Sequence, residues 1–218
     1  MTAAACLTIA LVATLVMPHF ALAEGPSPYD QFVWDHTFVE GPSPESIALT
    51  GDALLIGDSS DTILTYLLSD PSEPSAEWGT SGSSTNPPQF SWPAGVDVDS
   101  TGRVIVADAL NHRVMVLNSD GSFATVVGGP SPGTGDQEFN TPLDVAVGNS
   151  DVIFVSDTYN SRITKLSSGG AYITKWTLPD PNTGDSVLPS PDGIIVDHTT
   201  GNLWVTDAQY SRVYKYSD

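Results

Sequence analysis

Basic side chains are scarce in this 218-residue chain: 7 Lys and Arg stand against 26 Asp and Glu, a formal net charge of −19. That scarcity argues against nucleic acid or any other polyanion as a partner, because phosphate binding relies on clustered Lys and Arg. Cysteine is nearly missing as well, with Cys6 the single one. Disulfide staples, thiolate chemistry and cysteine-ligated zinc therefore have little to draw on, and packing must hold the chain together. Glutamate is rare beside aspartate, 6 against 20. Asp is a turn former and a poor helix residue, so with 19 Gly and 17 Pro it signals many short loops and argues against a helical bundle. Charged residues make up only 15% of the chain, too few for a charge-dominated disordered one. The length suits one domain, or two small ones, with enough chain to bury a core.

Long apolar runs are also lacking, with one exception. Ala3 to Met17 carries no charge and is followed by Ala21-Leu22-Ala23 and then polar Glu24-Gly25-Pro26. The run is shorter than the roughly 20 residues of a membrane-spanning helix. It reads as a secretory signal peptide over residues 1–23, cleaved after Ala23, although no Lys or Arg precedes it. An exported protein is expected (extracellular, periplasmic or lumenal), with residues 24–218 as the mature domain and no cysteine left in it.

What the chain has in abundance is repetition. Pro44, Pro93, Pro142 and Pro191 are each 49 residues apart. After each proline the pattern has period two, the mark of strands. Ile47, Val96, Val145 and Ile194 stand three positions on, and Leu49, Val98, Val147 and Val196 two further. A turn follows, and then a second β-branched strand ending in Asp58, Asp108, Asp157 and Asp207. Five residues past that Asp stand Arg113, Arg162 and Arg212, with Ile63 in the first unit, opening a third strand. FATVV (123–127) and YITKW (172–176) supply a fourth. Each unit is thus a four-stranded antiparallel meander of blade size, and the fold class is all-β, a propeller of about four blades starting near 44, 93, 142 and 191. The segment QFVWDHTFVE (31–40) aligns with the outer strands and is expected to complete the last blade. A closed monomer is the leading expectation, and dimerisation of an open arc the alternative.

These residues resemble the NHL repeat. The Asp-x-x-Asn-x-Arg core stands in Asp108-Asn111-Arg113 and Asp157-Asn160-Arg162; Asp207 and Arg212 keep its ends around Tyr210, and the first unit is degenerate. The resemblance runs from Pro44 to Asp218 and implies a β-propeller. The core Asp and Arg read as structural, the Asp capping a tight turn and the Arg pairing with it or with a carbonyl.

The loop face carrying DALNHR, DTYNSR and DAQYSR, with the connections 78–92, 128–141 and 177–190, is the expected binding face. Its candidate binding residues are Asn111, His112, Tyr159, Asn160, Tyr210, Asp136 and Asp185. Asp97 and Asp144 fall on first strands, which line the central channel, and are weak candidates for holding a cation. The Asp97-to-Asp108 stretch imitates an EF-hand spacing, but no helices flank it and a hairpin is the preferred reading.

The third unit also resembles the propeller of the peptidyl-hydroxyglycine amidating lyase, and Tyr159 matches that family's catalytic tyrosine in place. That resemblance would imply zinc-binding histidines directly after the blade prolines, where this chain has Glu45, Ala94, Leu143 and Asp192. It would also imply arginines after the turn Asp, where Ser59, Ala109, Thr158 and Ala208 stand. G-x-S-x-G and phosphate-cradling motifs do not occur. The expectation is therefore a non-catalytic binding or scaffold module with no cofactor, taking a neutral or cationic protein, peptide or glycan. A divergent or truncated lyase-like enzyme is the alternative.

Overall fold

The β-branched pattern and the frequent turn residues give a chain built almost wholly of short antiparallel strands. The computed structural model describes residues 43–179 and 189–217. The expected signal peptide and the closing strand at 31–40 lie outside these residues.

Four sheets follow one another along the chain. The first blade comprises β1 (Pro44–Leu49), β2 (Ala53–Asp58), β3 (Thr62–Leu67) and β4 (Ala76–Trp78). The second comprises β5 (Pro93–Val98), β6 (Val104–Asp108), β7 (Arg113–Leu117) and β8 (Phe123–Gly128). The third is β9 (Pro142–Val147), β10 (Ile153–Asp157), β11 (Arg162–Leu166) and β12 (Tyr172–Thr177). The fourth shows three strands among the described residues: β13 (Pro191–Val196), β14 (Leu203–Asp207) and β15 (Arg212–Tyr216). This is a four-bladed β-propeller in which each repeat proline opens an inner strand and pairs with the Asp that ends the second strand, as Pro93 does with Asp108 and Pro142 with Asp157.

Alternation sends one set of side chains from each blade forward and the other backward. Leu55 and Ile63 of the first blade meet Val96, Val104, Val106 and Met115 of the second. Ile105, Ala107, Val114 and Val116 of the second meet Val145, Ile153, Val155 and Leu166 of the third. Ala146, Phe154 and Ile163 of the third meet Ile194, Val196, Leu203 and Val205 of the fourth. Among the described residues the core is therefore three sandwiched layers between blades, with a further buried cluster of Ile56, Leu64 and Tyr66 on the first blade. Each fully buried Val, Ile or Leu contributes about 1.5–3 kcal/mol.

Three details refine the sequence reading. In the first blade the second turn is one residue shorter, so Asp58 pairs with Thr62, and Thr62 rather than Ile63 takes the place held elsewhere by Arg. Ile63 instead points into the joint with the second blade, fully buried. The EF-hand-like stretch is a hairpin. Asp99 caps its turn by accepting the Thr101 and Arg103 backbone N–H groups, while Arg103 Nε donates to its other oxygen at 2.6 Å. The first two connections read as Gly- and Pro-rich loops each carry a core residue, Phe90 and Phe139, both fully buried and 49 residues apart.

Candidate functional site

The turns between second and third strands define one face of the molecule. In the second blade the fully buried Asp108 accepts the Ser91 N–H at 2.8 Å, the Asn111 side-chain amide and Arg113 Nε at 2.7 Å. The remaining Arg113 N–H groups donate to the carbonyls of Ser83, Ser84 and Gln89, and Asn111 donates to that of Gly82. The third blade repeats this clamp. Asp157 accepts Asn140 N–H, Asn160 and Arg162 Nε, while Arg162 reaches the carbonyls of Thr134, Gly135 and Glu138. Burial raises the Asp108 and Asp157 carboxyls above the ordinary value, and the hydrogen bonds and arginines offset only part of that rise. In the fourth blade Asp207 accepts the Ser190 and Gln209 N–H groups. The first blade lacks the arginine, and there Asp61 accepts the Trp92 N–H at 2.7 Å and the Ser81 hydroxyl at 2.6 Å. The motif thus ties each interblade connection down onto the blades.

That geometry sorts the candidate residues. The side-chain amides of Asn111 and Asn160 are committed to the clamps. His112, half-buried with φ of 53°, closes its turn and accepts the Thr141 N–H at Nδ1. Tyr210 stacks near Arg212, 5.9 Å from guanidinium carbon to ring centre. Asp136 pairs with Lys175 at 3.0 Å on the surface. Asp185 lies outside the described residues. Tyr159 is 69% exposed, and Leu110, at the equivalent position one blade earlier, is 54% exposed. Their backbone N–H groups are fixed to the carbonyls of Asn140 and Ser91, so the two side chains stand into solvent on a rigid base.

Because each inner strand begins beside the end of a second strand, its first residues open on this same face. They line a cavity of about 500 Å³ whose wall includes Glu45, Asp97, Asp144 and Asp192, one carboxylate from each blade, and no Lys, Arg or His. The positions where the lyase resemblance asks for histidine, Glu45, Ala94, Leu143 and Asp192, all lie in this wall. Asp144 bridges two blades: one oxygen accepts its neighbour's N–H from Val145, and the other accepts Ile194 N–H at 2.9 Å. Asp97 likewise accepts Val98 and Val147 N–H, the latter across the joint between the second and third blades at 2.7 Å. Burial pushes the Asp144 carboxyl up to about 7, and the nearby Asp97 and Asp192 add to the rise against those two N–H bonds. Burial also raises Asp97, which the Val147 and Val98 N–H groups and His198 partly offset. Near neutral pH the Asp144 carboxyl is therefore poised to give up its proton if a cation enters. Among the described residues no group of three or more His, Cys, Asp and Glu is arranged to hold a metal ion.

Sequence reasoning offered Asp97 and Asp144 as candidates but not the exposed tip Leu110, and it named Glu45 and Asp192 only as places without a histidine. The available signal was positional: Glu45 and Asp192 both directly follow a repeat proline.

Comparison with known proteins agrees with the architecture. The NHL repeat matches residues 90–117 and 139–166, the first three strands of the second and third blades with the last three residues of each preceding connection. No curated protein sequence matches the chain significantly. Among solved structures, Myxococcus xanthus glutaminyl cyclase is similar at 14% identity and TM-score 0.51, over 78% of this chain and 70% of that one. Staphylococcus aureus virginiamycin B lyase, solved with quinupristin, is similar at 14% identity and TM-score 0.57, over 83% and 57%. A chain of the nidogen–laminin complex is similar at 16% identity and TM-score 0.54, over 81% and 64%. The chain thus spans little more than half the length of the lyase. At such identities the likeness is one of fold.

Proposed function

We propose that this chain, whose second and third blades carry NHL repeats, is an exported binding module that takes a protein or peptide through its acidic, clamp-bearing face. The observation that carries the reading is the convergence of Glu45, Asp97, Asp144 and Asp192 on one cavity without a basic side chain in its wall. A Lys or Arg side chain entering it meets four carboxylates in partly desolvated surroundings, where charge pairing is stronger than in water. Leu110 and Tyr159 supply exposed apolar and aromatic surface on the same face, the residue types that anchor interfaces. The clamps make the face rigid, so little ordering cost accompanies binding. A neutral glycan fits the exposed aromatic, but the carboxylate wall favours a cationic peptide segment.

Calorimetric titration with a Lys- and Arg-containing peptide, set against an acidic peptide of the same length, tests this. The cationic peptide is expected to bind, more weakly to a Glu45→Gln/Asp192→Asn variant, and the acidic one not at all. Equal binding of both peptides, or binding indifferent to the double variant, would sink the proposal. Export is tested separately by the mass of the protein recovered from outside the producing cell, which should begin at Glu24.

A further inference from the structure

Corresponding places in two interblade joints differ in chemistry. In the joint between the second and third blades, Ile105 pairs across strands with Val116, and both join Val127, Ile153 and Leu166 in one buried cluster. In the joint between the first and second blades, the same register sets Leu55 opposite Thr65. A hydroxyl-bearing side chain thus stands where the next blade has Val116. Trp78 likewise stands where that blade has Val127, each paired with the second residue of its third strand.

The first joint holds a cavity of about 260 Å³, walled by Leu55, Thr65 and Trp78 of one blade and Val104 of the other. It opens beside the turns that link first to second strands, on the face opposite the clamps. Thr65 is 9% exposed, and its hydroxyl is buried without a hydrogen-bond partner. Leaving a buried hydroxyl unpaired is costly, so this place calls for a polar partner. Trp78 is fixed as a platform, because Gly121 (φ 81°) lies so close to its ring that a Cβ there would stand 2.5 Å from Cδ1. The mouth is polar, with Asp52 and Ser119 exposed and Thr50 half-buried. Asp52 lies 3.4 Å from the Thr50 hydroxyl, and a carboxylate can accept several hydrogen bonds. Among the described residues no Lys, Arg or His lines this cavity.

We infer that the cavity takes one neutral pyranose ring of a glycan. A sugar ring carries C–H groups on its faces and hydroxyls around its edge. The faces suit the Trp78 indole with Leu55 and Val104, and the hydroxyls suit Thr65 inside and Asp52 at the mouth. An anion would meet Asp52 with no basic side chain to balance it, and a cation is better served by the four carboxylates of the acidic cavity. A wholly apolar ligand would leave the Thr65 hydroxyl unpaired. The volume far exceeds the roughly 30 Å³ share of a water and lies just under the roughly 300–1,000 Å³ of pockets for drug-sized ligands, which suits a single ring.

Amide NMR titration with the methyl glycosides of glucose, galactose, mannose and fucose, and with N-acetylglucosamine, tests this. At least one of these sugars is expected to bind, with shifts centred on Ala53, Thr65, Val104 and Ser119. Thr65→Val, which copies the next blade, should weaken that binding by about fivefold, the worth of one hydrogen bond. It should leave the free protein at least as stable, since an unpaired hydroxyl is gone; a merely structural Thr65 would move stability and not affinity. Asp52→Asn, on the surface, should weaken binding by about tenfold, as expected for hydrogen bonds to a charged group. Absence of binding by all of these sugars would overturn the inference. So would shifts centred elsewhere, or binding that neither substitution weakens.

Discussion

Arg162 holds Asp157 at 2.6 Å through its Nε and spends its other N–H groups on three carbonyls of the connection that precedes the third blade. Arg113 does the same with Asp108 one repeat earlier. The pair is both a turn and a fastener: a buried charge made tolerable because every donor has an acceptor.

Removing one partner leaves the other buried and uncompensated. Arg162→Ala is expected to destabilise the protein by about 3–5 kcal/mol. Arg162→Lys should recover only part of that, since a single ammonium cannot serve three carbonyls and a carboxylate in a planar fork. Urea denaturation measures both, and a loss under about 1 kcal/mol for the alanine variant would show that the clamp is ornamental.

Gly95 owes its identity to Asp144. A Cβ at position 95 would lie 2.5 Å from Asp144 Oδ1 and 2.6 Å from its Cα, across the joint between the second and third blades. Gly95→Ala should therefore cost about 1–3 kcal/mol by overpacking. It should also disturb the Asp144–Ile194 bridge, read as faster hydrogen exchange at the Ile194 amide. Unchanged stability would mean that the blades separate more easily than their packing implies.

Asp144 makes stability depend on pH with a definite sign. Its folded carboxyl titrates near 7 against an ordinary value of 3.8, so the folded state binds the proton more tightly than the unfolded one. Stability from this group is present at low pH and is lost as pH rises through the window from about 4 to 7, by on the order of 4 kcal/mol. Asp144→Asn removes that dependence. Relative to the variant, the wild-type melting temperature should fall between pH 4 and pH 8, and parallel curves would contradict the assignment.

Much of this organisation was legible in the sequence because it repeats. The prolines at 44, 93, 142 and 191 each open an inner strand, and the aspartates at 58, 108, 157 and 207 each end a second one. The structural reading of Arg113 and Arg162 followed from their fixed distance to an Asp. What periodicity alone did not convey was direction. Asn111 and Asn160 sit on exposed-looking turns, yet their amides turn inward to the connections. Phe90 and Phe139 lie in Gly- and Pro-rich stretches, where a lone aromatic is easily read as loop surface. Glu45 and Asp192 are 147 residues apart in sequence and meet only because four blades share one channel. The one-residue contraction of the first turn hides in a degenerate motif, Asp58-Ser-Ser-Asp61, in which a second Asp does part of the arginine's work.

The central claim is that positive charge enters the carboxylate wall, and proton linkage tests it most directly. A cation bound beside Asp144 lowers the pKa of that group, so binding a Lys- and Arg-containing peptide at pH 7 must release protons. Calorimetry in buffers of different ionisation enthalpy counts them. The predicted result is a release of up to about half a proton per bound peptide, abolished in Asp144→Asn while binding persists. Binding with no proton release in the wild type, or with the same release in the variant, would place the ligand elsewhere and contradict the claim.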